Sequence, residues 1–302
     1  MFSLQKYRSI LNRYTCPQCG RKHSFTLYVD ENGTPLADNV GRCNHESSCG
    51  YHYTPKEYFA LHPQPLGEHK PYKPQIKPIQ PQKKCCLNFD YVKQSESFRS
   101  DLFTYLSGVF GVEATKQVFS MYHVGATKER DVIYWQLDTC ATARTGKIMK
   151  YDVATGKRIK GECDCINWVH SKLKKEKKLP NEWVLSQCLF GEHLLKVHPD
   201  KAVCVVESEK TALICAITMP QYIWLATGGK HNLKPEMLNI LRNRKVILYP
   251  DVDAFDKWKS IAQALPFYVL VSDTLQRIAT EEDKANKIDI ADVILRTWKP
   301  QQ

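Results

Sequence analysis

Residues 202–213 read AVCVVESEKTAL, residues 223–229 read IWLATGG, and residues 245–258 read KVILYPDVDAFDKW. Each contains a continuous apolar run of four to six residues at or near its start. Between and after these runs lie helix-like stretches: SEKTALICAITM, KPEMLNILRN and FDKWKSIAQAL, with FYVLVSD as a further strand. Short apolar strands alternating with amphipathic helices predict a mainly parallel sheet flanked by helices, an α/β fold. Glu207 ends the first strand, and Asp251 and Asp253 end the third. Ligands of open parallel sheets bind beyond the carboxyl ends of the strands, where these acids stand. An Asp-x-Asp leaving a strand aims both carboxylates the same way. Crowded carboxylates repel one another and are stable mainly around a hard cation such as Mg2+. The plainer reading is helix capping, by Glu207 for SEKTAL and by Asp253 for FDKW. Three acids on two strands of one sheet favour metal binding. Asp256 stands evenly between a further metal ligand and a helix cap.

The same stretches, VCVVESEKTAL, LATGG and VILYPDVDAFDKW, resemble the Toprim domain of bacterial DnaG-type primases, topoisomerases and some nucleases. The resemblance implies that Glu207, Asp251 and Asp253 form the catalytic metal site, with Mg2+ or Mn2+ bound. It also implies that Gly228 and Gly229 form a turn open to phosphate. The chain departs from the primase pattern after Asp253, where Ala254-Phe255-Asp256-Lys257 replaces a small residue and a glycine. KIDIADVIL resembles the Asp-x-x-Asp that closes phage-type Toprim modules, although Asp289 and Asp292 read better as a helix start.

Upstream, SESFRSDLFTYLSGVFG and VEATKQVFSMY predict helices, and DVIYWQLD and KIMKYDV predict strands. The turn Ala154-Thr155-Gly156 then leads into KRIKG, completing a basic hairpin. LFTYLSGVFGVEATKQVFSMYHVG and DVIYWQLD resemble the entry to a primase core, and SQCLFGEHLL, with Phe190-Gly191, resembles the phage-primase lead-in to Toprim. On this reading Arg144, Lys147, Lys150, Lys157, Arg158 and Lys160 surround template or nucleotide phosphates. Strand alternation keeps them from all facing one ligand. Lys210, three residues after Glu207, is placed to reach a phosphate or simply to coat a helix.

Twelve cysteines in a reducing compartment read as metal ligands or buried thiols. Cys188, Cys204 and Cys215 lie in apolar runs and predict core thiols. Cys16 and Cys19, in CPQCG, are followed after 23 intervening residues by Cys43 and Cys49, in RCNHESSCG. This predicts a four-sulfur structural Zn2+ site, closed to catalysis and stapling a head too small for a core of its own. His45 lies inside the longer second loop as a rival ligand, and His23 and His52 flank the site. A redox Cys-x-x-Cys would need a thioredoxin-like βαβ pattern, which is missing here. Tyr14, Phe25, Tyr28, Tyr51 and Tyr53 are candidate base-stacking surfaces, some of them needed for the head's own packing. TPKEYFALH predicts a helix capped by Thr54 with Glu57 three residues on. Residues 62–86 contain six prolines and five lysines and read as a polyproline-like tether.

The expected organisation is a zinc ribbon over 1–61, a linker over 62–86, an α+β primase-core-like region over 87–200 and a Toprim domain over 201–302. Across 302 residues, 43 Lys and Arg face 32 Asp and Glu, a formal charge of +11. Residues 1–86 hold 12 basic and 6 acidic residues, net +6, leaving +5 for the rest. A small basic head on a nearly balanced body points to a polyanion partner. No run of 18 apolar residues and no signal-like N-terminus appear, so the expectation is a cytoplasmic protein that does not enter membranes.

Together these features point to a nucleotidyltransferase that makes short primers on single-stranded DNA from nucleoside triphosphates, for a bacterial or mobile-element replicon. No Gly-x-x-x-x-Gly-Lys-Ser/Thr motif appears, so a separate helicase is the expected partner. The rivals are a Toprim nuclease using the same carboxylates and a DNA-binding accessory with a decayed site. A topoisomerase is disfavoured by the chain's length and by the lack of a distinguishable nucleophilic tyrosine.

Overall fold

The structure, a computed structural model, describes residues 2–45, 48–62, 85–160, 166–229 and 232–298. The chain divides into two compact units, Met1–Gln80 and Pro81–Gln302. Most of the Pro/Lys-rich tether lies outside the described residues.

In the first unit β1 (Ser3–Leu4), β2 (Phe25–Val29) and β3 (Gly41–Cys43) form an antiparallel sheet in that order. The DENG turn between β2 and β3 is closed by Asp30 Oδ1, which accepts the N–H groups of Asn32 and Thr34 at 2.9 and 2.8 Å. The helix α1 (Pro55–Leu61) begins at Thr54 in a reciprocal capping box with Glu57, as TPKE predicts. Its buried apolar residues are few: Phe25, Leu27, Val29, Val40 and two cysteines, Cys16 and Cys43.

The second unit opens with three helices, α2 (Asp90–Ser95), α3 (Asp101–Phe110) and α4 (Val112–Met121). They lead into an antiparallel sheet of β4 (Gly125–Ala126), β5 (Val132–Leu137), β6 (Ala143–Met149) and β7 (Ile166–Trp168), hydrogen-bonded in chain order. The basic hairpin read from sequence is present but short: across the Gly156 turn the Asp152 N–H donates to Lys157 O at 2.9 Å and the Ile159 N–H to Lys150 O at 3.0 Å. ARTGKIM is a strand buried along its whole length, and beyond the turn Arg158 forms an antiparallel bridge with Tyr151. The partner of β6 on its far side is β7, followed by α5 (Val169–Lys175). The short α6 (Leu194–Val197) precedes the parallel sheet.

That sheet contains β8 (Val203–Val206), β9 (Ile223–Ala226), β10 (Val246–Leu248) and β11 (Leu270–Val271), in the order β11-β10-β8-β9 with every pair parallel. The helices α7 (Glu209–Thr218), α8 (Pro235–Leu238) and α9 (Phe255–Gln263) alternate with these strands. Then come α10 (Thr274–Ile278), α11 (Glu281–Asn286) and α12 (Ile290–Thr297). KPEMLNILRN forms only a short helix running into a 3-10 turn. Its only buried residues are Leu238 and Leu241, one flank of a single turn, too little to hold a longer helix against the sheet.

One hydrophobic core crosses residue 200: Leu106, Phe119 and Tyr134 belong with Trp224, Leu225 and Trp258. Tyr122 lies stacked on Phe190, and its hydroxyl donates to the carbonyl of Trp224 at 2.7 Å. Phe190 pairs in antiparallel fashion with Ala226 on the outer edge of β9. Arg244 donates to the carbonyls of Leu195, His198 and Lys201, tying the turn before β10 to the segment that leads into β8. Cys188, Cys204 and Cys215 are buried, as their apolar neighbours predict. No helix among the described residues is long and apolar enough to cross a membrane.

Candidate functional site

The four cysteines of the first unit converge. Their sulfurs all lie within 4.8 Å of one another, with Cys16 Sγ 3.7 Å from Cys49 Sγ and Cys19 Sγ 3.9 Å from Cys43 Sγ. Each knuckle ends in a glycine with positive φ, Gly20 at 67° and Gly50 at 69°, where a side chain would strain the curl. Burial works to raise the Cys16 thiol, but the N–H groups of Cys19 and Gln18 outweigh it and bring it down to about 7. Burial pushes Cys43 up to about 12, against the N–H of His45. Thiols so placed ionise together only around a cation, and N–H donors aimed at sulfur suit thiolate ligands. These residues fit structural zinc. His45 is not in the cluster, and His52 is instead bonded to the Tyr28 hydroxyl at 2.9 Å.

The aromatic residues of this unit divide by burial. Phe25 is fully buried, Tyr51 packs on it, and the Tyr51 hydroxyl donates to Asn39 O. Tyr28 stacks on His52 and Tyr53 meets Tyr58 edge-on, while Tyr14 is exposed. Phe25 is therefore unavailable as a stacking surface. Sequence reasoning passed over Tyr7, which is 66% exposed and has the Arg13 guanidinium 5.0 Å from its ring centre.

In the second unit β8 and β10 are neighbours, which brings Glu207 and Asp251 together at the carboxyl end of the sheet. Glu207 follows the last residue of β8, and Ser208 caps α7 through its side chain. The capping role offered for Glu207 therefore belongs to Ser208. Asp251 is hydrogen-bonded to Glu207, and burial, then the charges of Glu207, Asp289 and Asp253, push it up to about 9. Asp253 lies 3.5 Å from Lys287 Nζ, a pair whose lysine is 55% exposed and which holds the aspartate only weakly. Asp256 is exposed in the first turn of α9.

Asp289 starts a helix, as the sequence favours. It caps α12 in a reciprocal box with Asp292, and its other oxygen accepts Thr211 Oγ1 at 2.5 Å beside the acidic group. Among the described residues the four cysteines alone bring three or more ligand atoms within 4.8 Å of one another. The acidic rim is more open than the sulfur site.

The basic residues do not form one surface. Lys147 is buried on β6, where its Nζ donates to Glu209 Oε2 at 3.0 Å and to Gly228 O at 2.9 Å. This corrects the phosphate-facing reading of Lys147: the ammonium already has a carboxylate and a carbonyl as partners. Lys150 and Lys157 are exposed, and Arg158 is half-buried in its bridge with Tyr151. Lys210 Nζ donates to Gly156 O at 3.2 Å and lies 6.0 Å from the centre of the Tyr151 ring. Gly228 and Gly229 form a turn with φ of 77° and 158°. The Gly228 N–H donates to Glu207 O at 2.9 Å, so the turn abuts the first acid of the rim.

The molecule thus combines an N-terminal zinc ribbon with a mixed α/β body containing one antiparallel and one parallel sheet. The ribbon is matched over residues 1–64 by the model of a zinc beta-ribbon finger. A second model, described as a domain of unknown function (DUF6371), matches residues 100–252, and the chain belongs to that family. No curated protein matches the sequence. Among solved structures it is similar to the primase fragment of the bacteriophage T7 primase-helicase protein, with 14% identity, 91% of this chain and 98% of that chain covered, and a TM-score of 0.38. A DnaG primase catalytic domain bound to ssDNA gives 12% identity, 66% and 75% coverage and a TM-score of 0.39. The RNA polymerase domain of Mycobacterium tuberculosis primase DnaG gives 12%, 66% and 80%, and 0.38.

Proposed function

We propose that the chain is a Toprim-type, divalent-metal-dependent primase that lays short primers on single-stranded DNA. The observation that carries this reading is Asp251, raised to about 9 among Glu207, Asp289 and Asp253 at the carboxyl end of a parallel sheet. A carboxyl group held against three others ionises at neutral pH when a divalent cation offsets their charge. Glu207, Asp251 and Asp253 would hold Mg2+ or Mn2+. The bound ions would supply activation of a 3′-hydroxyl and neutralisation of the leaving pyrophosphate.

The chain's own residues provide the rest. Asp289 anchors Thr211 on α7 and adds negative charge behind the rim. Lys150, Lys157, Arg158 and Lys210 stand around the turn that follows β6 and meet incoming phosphates. The Gly228–Gly229 turn lets backbone approach them. In the ribbon, Tyr7 with Arg13, and Tyr14, form the stacking and cationic surface for single-stranded template. Residues 87–200 act as the primase-core region and 201–302 as the Toprim, sharing one core. Unwinding falls to a separate helicase.

The test is incubation of the purified protein with single-stranded DNA, labelled nucleoside triphosphates and Mg2+, beside Glu207→Gln. Labelled oligomers that disappear in the variant are the expected result, with a loss on the order of 10³-fold. Intact template without oligomers refutes the reading. Shortened template replaces it with a nuclease.

A further inference from the structure

The geometry points to Glu209 as a positioning residue that, through Lys147, holds the Gly228–Gly229 turn against Glu207 and so sets the affinity of the acidic rim for a divalent cation. This rests on the metal-site reading above.

Glu209 is the first residue of α7, two after Glu207, and only 2% of its side chain is exposed. It has no place in the acidic group around Asp251. Its Oε2 accepts Lys147 Nζ, which reaches across from the middle of β6 with 7% of its side chain exposed. The same ammonium donates to Gly228 O, and the Gly228 N–H donates to Glu207 O. Thr227 Oγ1 closes the loop, donating to Gly229 O at 3.1 Å and lying 3.4 Å from Glu207 O. The carbonyl of the first rim acid is thereby fixed by a turn that is itself pinned by a buried ion pair.

Glu209 Oε1 has no hydrogen-bond partner among the described residues, and it stands 2.9 Å from where a Cβ on Gly228 would lie. Glycine at 228 is what lets the carboxylate close on the turn. A buried ion pair of this kind is a poor source of stability, because desolvating both charges offsets most of their attraction. It fixes geometry instead: it joins the antiparallel sheet to the rim of the parallel one. Partners one shell removed from a metal commonly change its affinity by roughly 10–100-fold when replaced.

The experiment is Mn2+ titration of the zinc-loaded full chain, followed by the electron paramagnetic resonance of free Mn2+, with thermal unfolding alongside. Three proteins are compared: wild type, Glu209→Gln, and the double variant Lys147→Met with Glu209→Leu. The double variant removes both charges together and is expected to unfold no earlier than wild type. Both variants are nonetheless expected to bind Mn2+ at least about tenfold more weakly. A double variant that keeps both fold and Mn2+ affinity overturns the inference, because the pair is then only packing. If Glu209→Gln fails to fold, the double variant alone decides. A wild type that binds Mn2+ while Glu209→Gln binds it equally well overturns this inference and leaves the metal site standing. A wild type that binds none removes both.

Discussion

Replacing Cys16 with serine is expected to release the zinc and unfold residues 1–62 while the second unit keeps its own transition. The first unit has almost nothing else to fold on. Its buried apolar residues are only Phe25, Leu27, Val29, Val40 and two of the zinc-binding cysteines, so losing the metal also opens the core. Structural zinc contributes on the order of 10–16 kcal/mol of binding free energy in small fingers at neutral pH, more than a core this small supplies. Bound zinc should fall from one per chain to none, measured by atomic absorption. Hydrogen exchange at the amides of Cys19 and Tyr51, which face Cys16 and Cys49, should become fast. Protection that persists without zinc would show that the β1–β2–β3 sheet stands unaided. Cys188→Ser, in the second unit, should leave the zinc count unchanged.

Asp251→Asn is expected to reverse the usual sense of a destabilising mutation. In Mg2+-free buffer it should stabilise the second unit at neutral and alkaline pH, while abolishing divalent-metal binding and cutting primer synthesis on the order of 10³-fold. The folded protein holds the Asp251 proton up to about 9, because burial and then Glu207, Asp289 and Asp253 disfavour the charge. The unfolded chain releases it near 3.9. The folded state therefore binds more protons across that interval. The contribution is fully present below about pH 4 and is lost as the pH climbs toward about 9. Urea midpoints of the wild type should decline between pH 5 and 9 without Mg2+ and recover with it. The asparagine variant should be flat and unresponsive to the ion. Parallel curves for the two proteins would mean that Asp251 is not crowded in solution.

Much of this arrangement was legible because local chemistry specifies it. A glycine after the second cysteine of each knuckle, Gly20 and Gly50, marks a curl that few other residues adopt. VCVVES and VILYPD announce both a buried strand and the acid at its end. What lay beyond reading was pairing across long separations. Lys147 looks like any lysine of a basic strand, and its partner lies 62 residues away. Glu209 looks like an acid of a helix's first turn, which it also is. Asp289 was readable as a cap, but its place behind Asp251 depends on how α12 returns to the sheet. KPEMLNILRN carries helical periodicity without enough apolar contact to sustain it, so the sheet's needs override the propensity. The hairpin around Gly156 was legible from its turn, whereas the pairing of β6 itself with β7, beyond that hairpin in the chain, was not.

Phe190 has a practical bearing on how this molecule can be cut. Its backbone N–H donates to Ala226 O at 3.0 Å and its carbonyl accepts the Ala226 N–H at 3.1 Å, so a short upstream segment seals the outer rim of Ile223–Ala226. A polypeptide begun at 201 would leave that rim raw, along with the hollow vacated by the Tyr122 and Phe190 rings, and would recruit neighbouring copies through open amides. Starting near residue 85 keeps the seal in place, which makes the longer piece the smaller risk for anyone seeking soluble material.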